Sequence, residues 1–299
     1  RELIKKLKRQ ITEPPSLDIL QLLLSELQYT MQDNPDLGAD ERKYVFSYSG
    51  FIKRWSLQRL QQTLDPQWDK LYWDTMLFEA RNRVVDSYLI YLEKNRDPED
   101  RFYEPRRKQF LKMGFTQALQ DLIDDEIDIL SISTVPGSGK TTLGEMFMSG
   151  FMGWFPDLCN LFSSHSGHVT RMVYQVVCNI IGIGLKPGQI PEYTWREIFP
   201  DVEVESNNAN EQEINLGKFK PFKTLTCRSL GASQTGVTRC EGILYCDDLC
   251  SGIEMALSKI RLDKLWTMYS TDLKTRKKKG KRGRTCKELH IATRWSVWM

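Results

Sequence analysis

The chain has 299 residues, 40% hydrophobic and 27% charged, enough for one large soluble domain or two modest ones. Its formal charge of +3, from 42 basic and 39 acidic side chains, is too small to imply a polyanion partner, so any nucleic-acid contact has to come from a local patch. No apolar run reaches the roughly 18 residues of a membrane helix, and the basic opening RELIKKLKRQ lacks the apolar core and cleavage site of a signal peptide. The first residue is Arg1, so further residues are expected to precede it.

Residues 1–100 read as mainly helical. Leu17, Ile19, Leu20, Leu23, Leu24 and Leu27 form an apolar stripe at helical spacing. The stretch QDNPDLGADERK (32–43) is predicted to be a loop from its Asn-Pro and Gly. A second helical region runs from Tyr44 to Glu93, broken near Asp65-Pro66, and its Trp55, Trp68 and Trp73 read as core. The charged, proline-containing NRDPEDRFYEP (95–105) reads as a linker into a second domain at 101–299. After a helix over about 107–122, the pattern changes. Strands are predicted at 127–133, Asn160–Ser164, Lys223–Arg228, Gly242–Cys246 and Leu289–Thr293, with helices at Thr141–Met152, Val169–Ile181 and Ile253–Leu273 between several of them. Strands alternating with helices predict an α/β domain with a mostly parallel sheet.

The seven cysteines are odd in number and contain no CxxC pair, so neither a disulfide framework nor a zinc site is expected. Free thiols suit a reducing cytoplasm. His165 and His168 are close in sequence but have no third ligand nearby. Cys246, beside an acidic pair, reads as a buried strand residue.

The segment SISTVPGSGKTTLGEMF joins a strand, a glycine-rich turn and a helix. Small residues let backbone N–H groups turn inward around anionic oxygens, and the helix N-terminus adds its positive end. Pro136, Gly137, Ser138, Gly139, Lys140, Thr141 and Thr142 are the expected phosphate-binding residues. Lys140 reaches the terminal phosphates and the Thr141 hydroxyl ligates Mg²⁺ in this reading. The full pattern has Gly six positions before the lysine; Thr134 stands there.

In GILYCDDLC, an apolar strand ends in two carboxylates. Strand C-termini line the ligand crevice of open α/β sheets. Asp247 is expected to hold the metal and Asp248 to orient or deprotonate the attacking water. Capping of the following segment is the competing role for either aspartate. Lys140 and Asp247 are 107 residues apart, room for an added strand between the two motif strands. In ELHIATRW, Thr293 follows a strand, where its hydroxyl either meets the phosphate or water or simply ends the strand.

YEPRRKQF, PGSGKTT, LTCRSLGASQTGVTRC, YCDDL and HIATRW occur in this order from about Phe102 onward. Together they resemble the ATPase domain of the large terminase subunit of tailed bacteriophages, the motor that packages double-stranded DNA into a capsid. The resemblance implies a P-loop ATPase of the RecA-like (ASCE) class, with ATP and Mg²⁺. It also implies double-stranded DNA, further copies of the chain in a ring on the procapsid, a small terminase subunit and a portal protein as partners, in the host cell cytoplasm. By resemblance, Thr293 couples hydrolysis to movement, and an arginine enters a neighbouring subunit's site, with Arg239 the first candidate and Arg228 the second. Arg106 and Gln109, near Tyr103 and Arg107, match the place that contacts adenine; a polar helix start is the other reading.

A nuclease domain commonly follows in this family. None follows Thr293 here, so no DNA cutting is expected of these residues, and the chain reads as part of a longer protein. Seven of the nine residues from Arg276 to Arg284 are cationic, which suits either a solvated loop or a sequence-independent phosphate grip. The alternative functions are a helicase or DNA-repair ATPase, which would need a second lobe after Thr293, and a non-hydrolysing nucleotide-sensing scaffold. No Asn-Lys-x-Asp base-reading motif points to a GTPase.

Overall fold

The computed structural model describes residues 14–299 except 36, 187, 233–237, 280–284 and 294–299. Contacts divide the chain into two compact units, 1–91 and 92–299. Among the described residues, no helix is long and apolar enough to cross a membrane.

The first unit is helical. Ser16 caps α1 (Leu17–Asp33), with its side chain accepting the Ile19 N–H. The interhelix loop is shorter than predicted, because α2 (Ala39–Thr63) already starts at Ala39. Asp65 then caps α3 (Pro66–Arg81), whose Pro66 occupies the first turn where no N–H is needed. Leu20, Leu23, Leu24 and Leu27 pack with Val45, Tyr48 and Ile52 of α2 and Trp68, Leu71 and Phe78 of α3. Trp68 is buried, whereas Trp55 and Trp73 are half-buried. Buried Glu79 is satisfied by Ser49, Lys53 and Ser87. α4 spans Val85–Leu92.

The second unit opens with α5 (Tyr103–Lys112) and α6 (Phe115–Ile123). A single helix is predicted there, but Gly114, at φ 74°, breaks it. The α5 N-terminus is fixed by buried Glu93, which accepts the backbone N–H groups of Phe102 and Tyr103 at 2.8 and 2.7 Å. β1 (Ile129–Ser133) leads through the glycine loop to α7 (Lys140–Trp154), followed by β2 (Asn160–Ser164), α8 (Gly167–Ile181) and the short α9 (Trp195–Ile198). Next come β3 (Val204–Asn208), β4 (Glu213–Leu216), β5 (Leu225–Ser229) and β6 (Ile243–Asp247). The helix predicted over 253–273 is α10 (Ile253–Ala256), α11 (Lys259–Met268) and a π-helical turn, Tyr269–Leu273. β7 (Lys287–Ala292) is the last described strand.

These strands form one seven-stranded sheet in the order β1-β7-β6-β2-β5-β4-β3. The pairs from β1 to β5 are parallel, and the β5–β4 and β4–β3 pairs are antiparallel. The interior strands β2 and β6 are buried at all five positions, as parallel strands covered on both faces must be. Between the strand that precedes the glycine loop and the strand that ends in Asp247 lies β7, which comes later in the chain than both. The residues between Lys140 and Asp247 supply β2 to β5 instead.

α7 approaches the sheet closely at Gly144. A Cβ there would lie 2.7 Å from Ile291 Cδ1 and closer still to the Tyr245 hydroxyl. Gly144→Ala is therefore expected to cost about 1–3 kcal/mol through overpacking, lowering Tm by roughly 2–4 °C per kcal/mol. An unchanged thermal midpoint would show that the helix does not rest on β6 and β7 in this way.

Candidate functional site

The C-terminal ends of β1, β6 and β7 bring together most of the residues singled out from the sequence. The loop Thr134–Gly139 follows β1 and turns through positive φ at Gly137 (76°) and Gly139 (82°), where L side chains are strained. α7 then begins at Lys140, which is 6% exposed. Its ammonium donates to Thr293 Oγ1 at 2.9 Å, joining the loop to the end of β7. Thr293 in turn donates its backbone N–H to Asp248 Oδ1 at 2.7 Å, with its hydroxyl 3.5 Å from Asp248 Oδ2. Asp248 sits at φ 41°, an uncommon conformation for a non-glycine residue just past a strand. Its backbone N–H donates to Ile291 O at 2.9 Å, which pins that turn.

Asp247 is 2% exposed and hydrogen-bonds the Thr141 side chain. Burial pushes its pKa up to about 6; the Thr141 bond and the charges of Lys140 and His165 oppose this, while Asp248 adds to it. Its Oδ1 is buried without a hydrogen-bond partner, as is the Ser138 hydroxyl in the glycine loop. Buried orphan acceptors and hydroxyls are rare in folded proteins and call for a ligand or an ion. No group of three or more His, Cys, Asp or Glu side chains among the described residues is arranged to hold a metal by itself. One carboxylate and one hydroxyl fit Mg²⁺, which keeps waters and takes its remaining oxygens from phosphates.

Three neighbours have no place in the motif reading. Glu145 lies one helical turn beyond Thr141 on α7 and is 7% exposed. Burial, reinforced by the Asp247 charge, pushes its pKa up to about 8. The four-residue spacing from Thr141 was the available signal, since it puts both side chains on one helix face. His165 Nδ1 lies 2.9 Å from the Asp248 carbonyl oxygen, a contact that requires the proton on Nδ1. Phe102 has its ring against Gly139, where an added Cβ would lie 2.6 Å from Cζ.

The base-contact candidates are exposed at the α5 surface. Arg106 stacks over Phe102 at 4.8 Å and donates to the Phe102 carbonyl at 3.2 Å; Gln109 is exposed one turn on. Tyr103 is buried, its hydroxyl 2.9 Å from Thr116 Oγ1. Thr142 is half-buried in the first turn of α7.

The two candidate arginines lie at opposite ends of the sheet. Arg228 is near the C-terminal end of β5, paired with Glu211 at 2.9 Å and Glu213 at 3.3 Å. Arg239 precedes β6, so it stands at the N-terminal edge, away from the site on its own chain. It pairs with Glu241 at 2.6 Å. Residues 233–237 of the segment before it, 280–284 of the basic run, and Arg294 and Trp295 lie outside the described residues.

No family model matches the chain, and no curated protein matches it in sequence.

The buried acids make a pH signature. Glu145 and Asp247 bind protons more tightly folded than unfolded, so their contribution to stability is fully present below about pH 4 and lost as pH rises towards about 8. Glu145→Gln is expected to flatten this decline by on the order of a few kcal/mol between those limits. Urea unfolding of the nucleotide-free protein across that range measures it, and identical pH slopes in the two proteins would refute it.

Proposed function

We propose that this chain is the ATP-hydrolysing motor domain of a viral DNA-packaging terminase, working on double-stranded DNA. The observation that carries the ATPase reading is the convergence of Lys140, Thr141, Asp247, Asp248 and Thr293 at one sheet edge, around buried oxygens without partners. The step from ATPase to packaging motor rests on the ordered motifs from Phe102 to Thr293. In this reading the fold is that of a P-loop ATPase, and the partners are DNA, other copies of the chain in a ring, a small terminase subunit and a portal, in the host cell cytoplasm.

The chain's own groups divide the work. The backbone N–H groups of the glycine loop and the start of α7 face the phosphates. Lys140 has three donors, one spent on Thr293, and offers the others to the terminal phosphate oxygens. Thr141 and Asp247 would hold Mg²⁺, which when bound offsets negative charge on the phosphates. Asp248 Oδ1 accepts the Thr293 N–H, and Oδ2 takes only the longer 3.5 Å contact from the Thr293 hydroxyl, so Oδ2 is the oxygen that would orient a water for in-line attack and receive its proton. Cleavage of the terminal phosphate changes what Lys140 touches, and the Lys140–Thr293 bond passes that change to β7.

Lys140→Ala is expected to lower ATP turnover by about 100-fold or more, the scale of losing one preorganised charge-stabilising donor. Turnover of the wild type should rise more than linearly with protein concentration and respond to duplex DNA. Turnover that is linear and indifferent to DNA would leave an ATPase and sink the motor reading. A Lys140→Ala variant as fast as wild type would remove the site assignment itself, and ATP binding without turnover would favour a sensor.

A further inference from the structure

The parallel strands have a second edge, opposite the catalytic one. Before β6 stands Arg239, with its side chain 42% exposed. An isolated bridge pairs Cys240 with Lys277: the Cys240 N–H donates to the Arg276 carbonyl at 3.0 Å and the Lys278 N–H to the Cys240 carbonyl at 2.8 Å. The start of the basic run is thereby held beside Arg239, with Lys278 and Lys279 exposed. On the other side, Arg239 lies 5.8 Å from the Phe222 ring. Phe222 belongs to the turn before β5, which carries Lys218, Lys220 and Lys223. That turn is tied to the start of β2 by Cys159 Sγ, 3.3 Å from the Phe222 carbonyl, and by Lys220, which donates to the Pro156 carbonyl.

Three segments far apart in sequence thus place cations along the ends of β6, β2 and β5. Glu241, paired with Arg239, and exposed Asp157 stand among them, and the edge turns acidic at β1, where Asp125 and Asp128 hold Lys287. The span from β6 to β5 is about 10 Å at the usual interstrand spacing. That length faces about three phosphates of one DNA strand, at roughly 3.4 Å of axial rise each.

We infer that this cationic band, Lys218, Lys223, Arg239, Lys278 and Lys279, is a docking surface for the phosphate backbone of nucleic acid, and that Arg239 serves it rather than a nucleotide site. The band binds without reading bases, because it offers charge and no element shaped for a groove. The choice of duplex DNA as ligand rests on the motor reading above; the surface rests on charge and position alone.

The test is fluorescence anisotropy with a duplex of about 30 base pairs over a salt series, run beside ATP binding and turnover. Lys218→Gln, Lys278→Gln and Lys279→Gln together should weaken binding and reduce the slope of log K against log salt by about 2–3, at ~0.9 for each phosphate no longer neutralised. ATP affinity should stay unchanged. Arg239→Gln alone should reduce DNA affinity with turnover in the absence of DNA retained. An unchanged salt slope in the triple variant, or Arg239→Gln that abolishes turnover with DNA affinity intact, would overturn the inference. So would equal competition by polyglutamate at matched charge. Lys140→Ala separates the two readings: its retained turnover counts against the ATPase assignment only, whereas an unchanged slope in the triple variant counts against the band only.

Discussion

The bond from Lys140 to Thr293 holds the candidate site together. It joins the residue that opens α7 to the residue that follows β7, and both ends of the bond are buried. A buried ammonium is costly unless it meets polar or charged partners. Lys140 meets the Thr293 hydroxyl and the field of Asp247. Because Thr293 also donates to Asp248, three strand ends are linked by side chains as well as by the sheet ladder. Removing the ammonium would take away one of the charges that oppose the raised pKa of buried Asp247.

Two acids near that bond lie well outside their ordinary range. Asp247 and Glu145 are both held above the ordinary carboxylate range, chiefly by burial. Elsewhere the second unit buries a carboxylate with full support. Glu288 on β7, although burial alone would raise it, is held down at about 2 by bonds from His290, Lys277 and Tyr269. The contrast separates an acid whose partners are built into the fold from a pair that burial holds largely without them. Strain in the Asp248 backbone belongs to the same region, where function commonly tolerates what packing would not.

The local signals were strong where the chemistry is local. The glycine turn, the helix after it and the apolar run ending in Asp247 and Asp248 all form at the places their residues indicate. Gly114 is an ordinary helix residue in a pattern of apolar positions, and only its positive φ reveals the break between α5 and α6. The β3–β4 hairpin escaped because Val204–Asn208 is polar and mostly exposed, with none of the apolar alternation that marks a half-buried strand. The insertion of β7 between β1 and β6 left no trace in spacing, since parallel pairing is fixed by long-range packing. Nor does the motif that contains Arg239 show that this residue stands at the N-terminal edge of the sheet, a β6 length away from Asp247 on the same chain.

That position of β7 also sets an order of events. Among the described strands β1 pairs with β7 alone, so the strand that launches the glycine loop has no neighbour until the last strand arrives. On a ribosome adding ~5–20 residues per second, the interval between the two is on the order of ten seconds or more. Through that interval β1 exposes unpaired edges, and once β6 is made it waits in the same way for β7, the kind of surface that invites mispairing. The nascent chain can collapse its helical first unit early, but the candidate site closes only when β7 slots between β1 and β6.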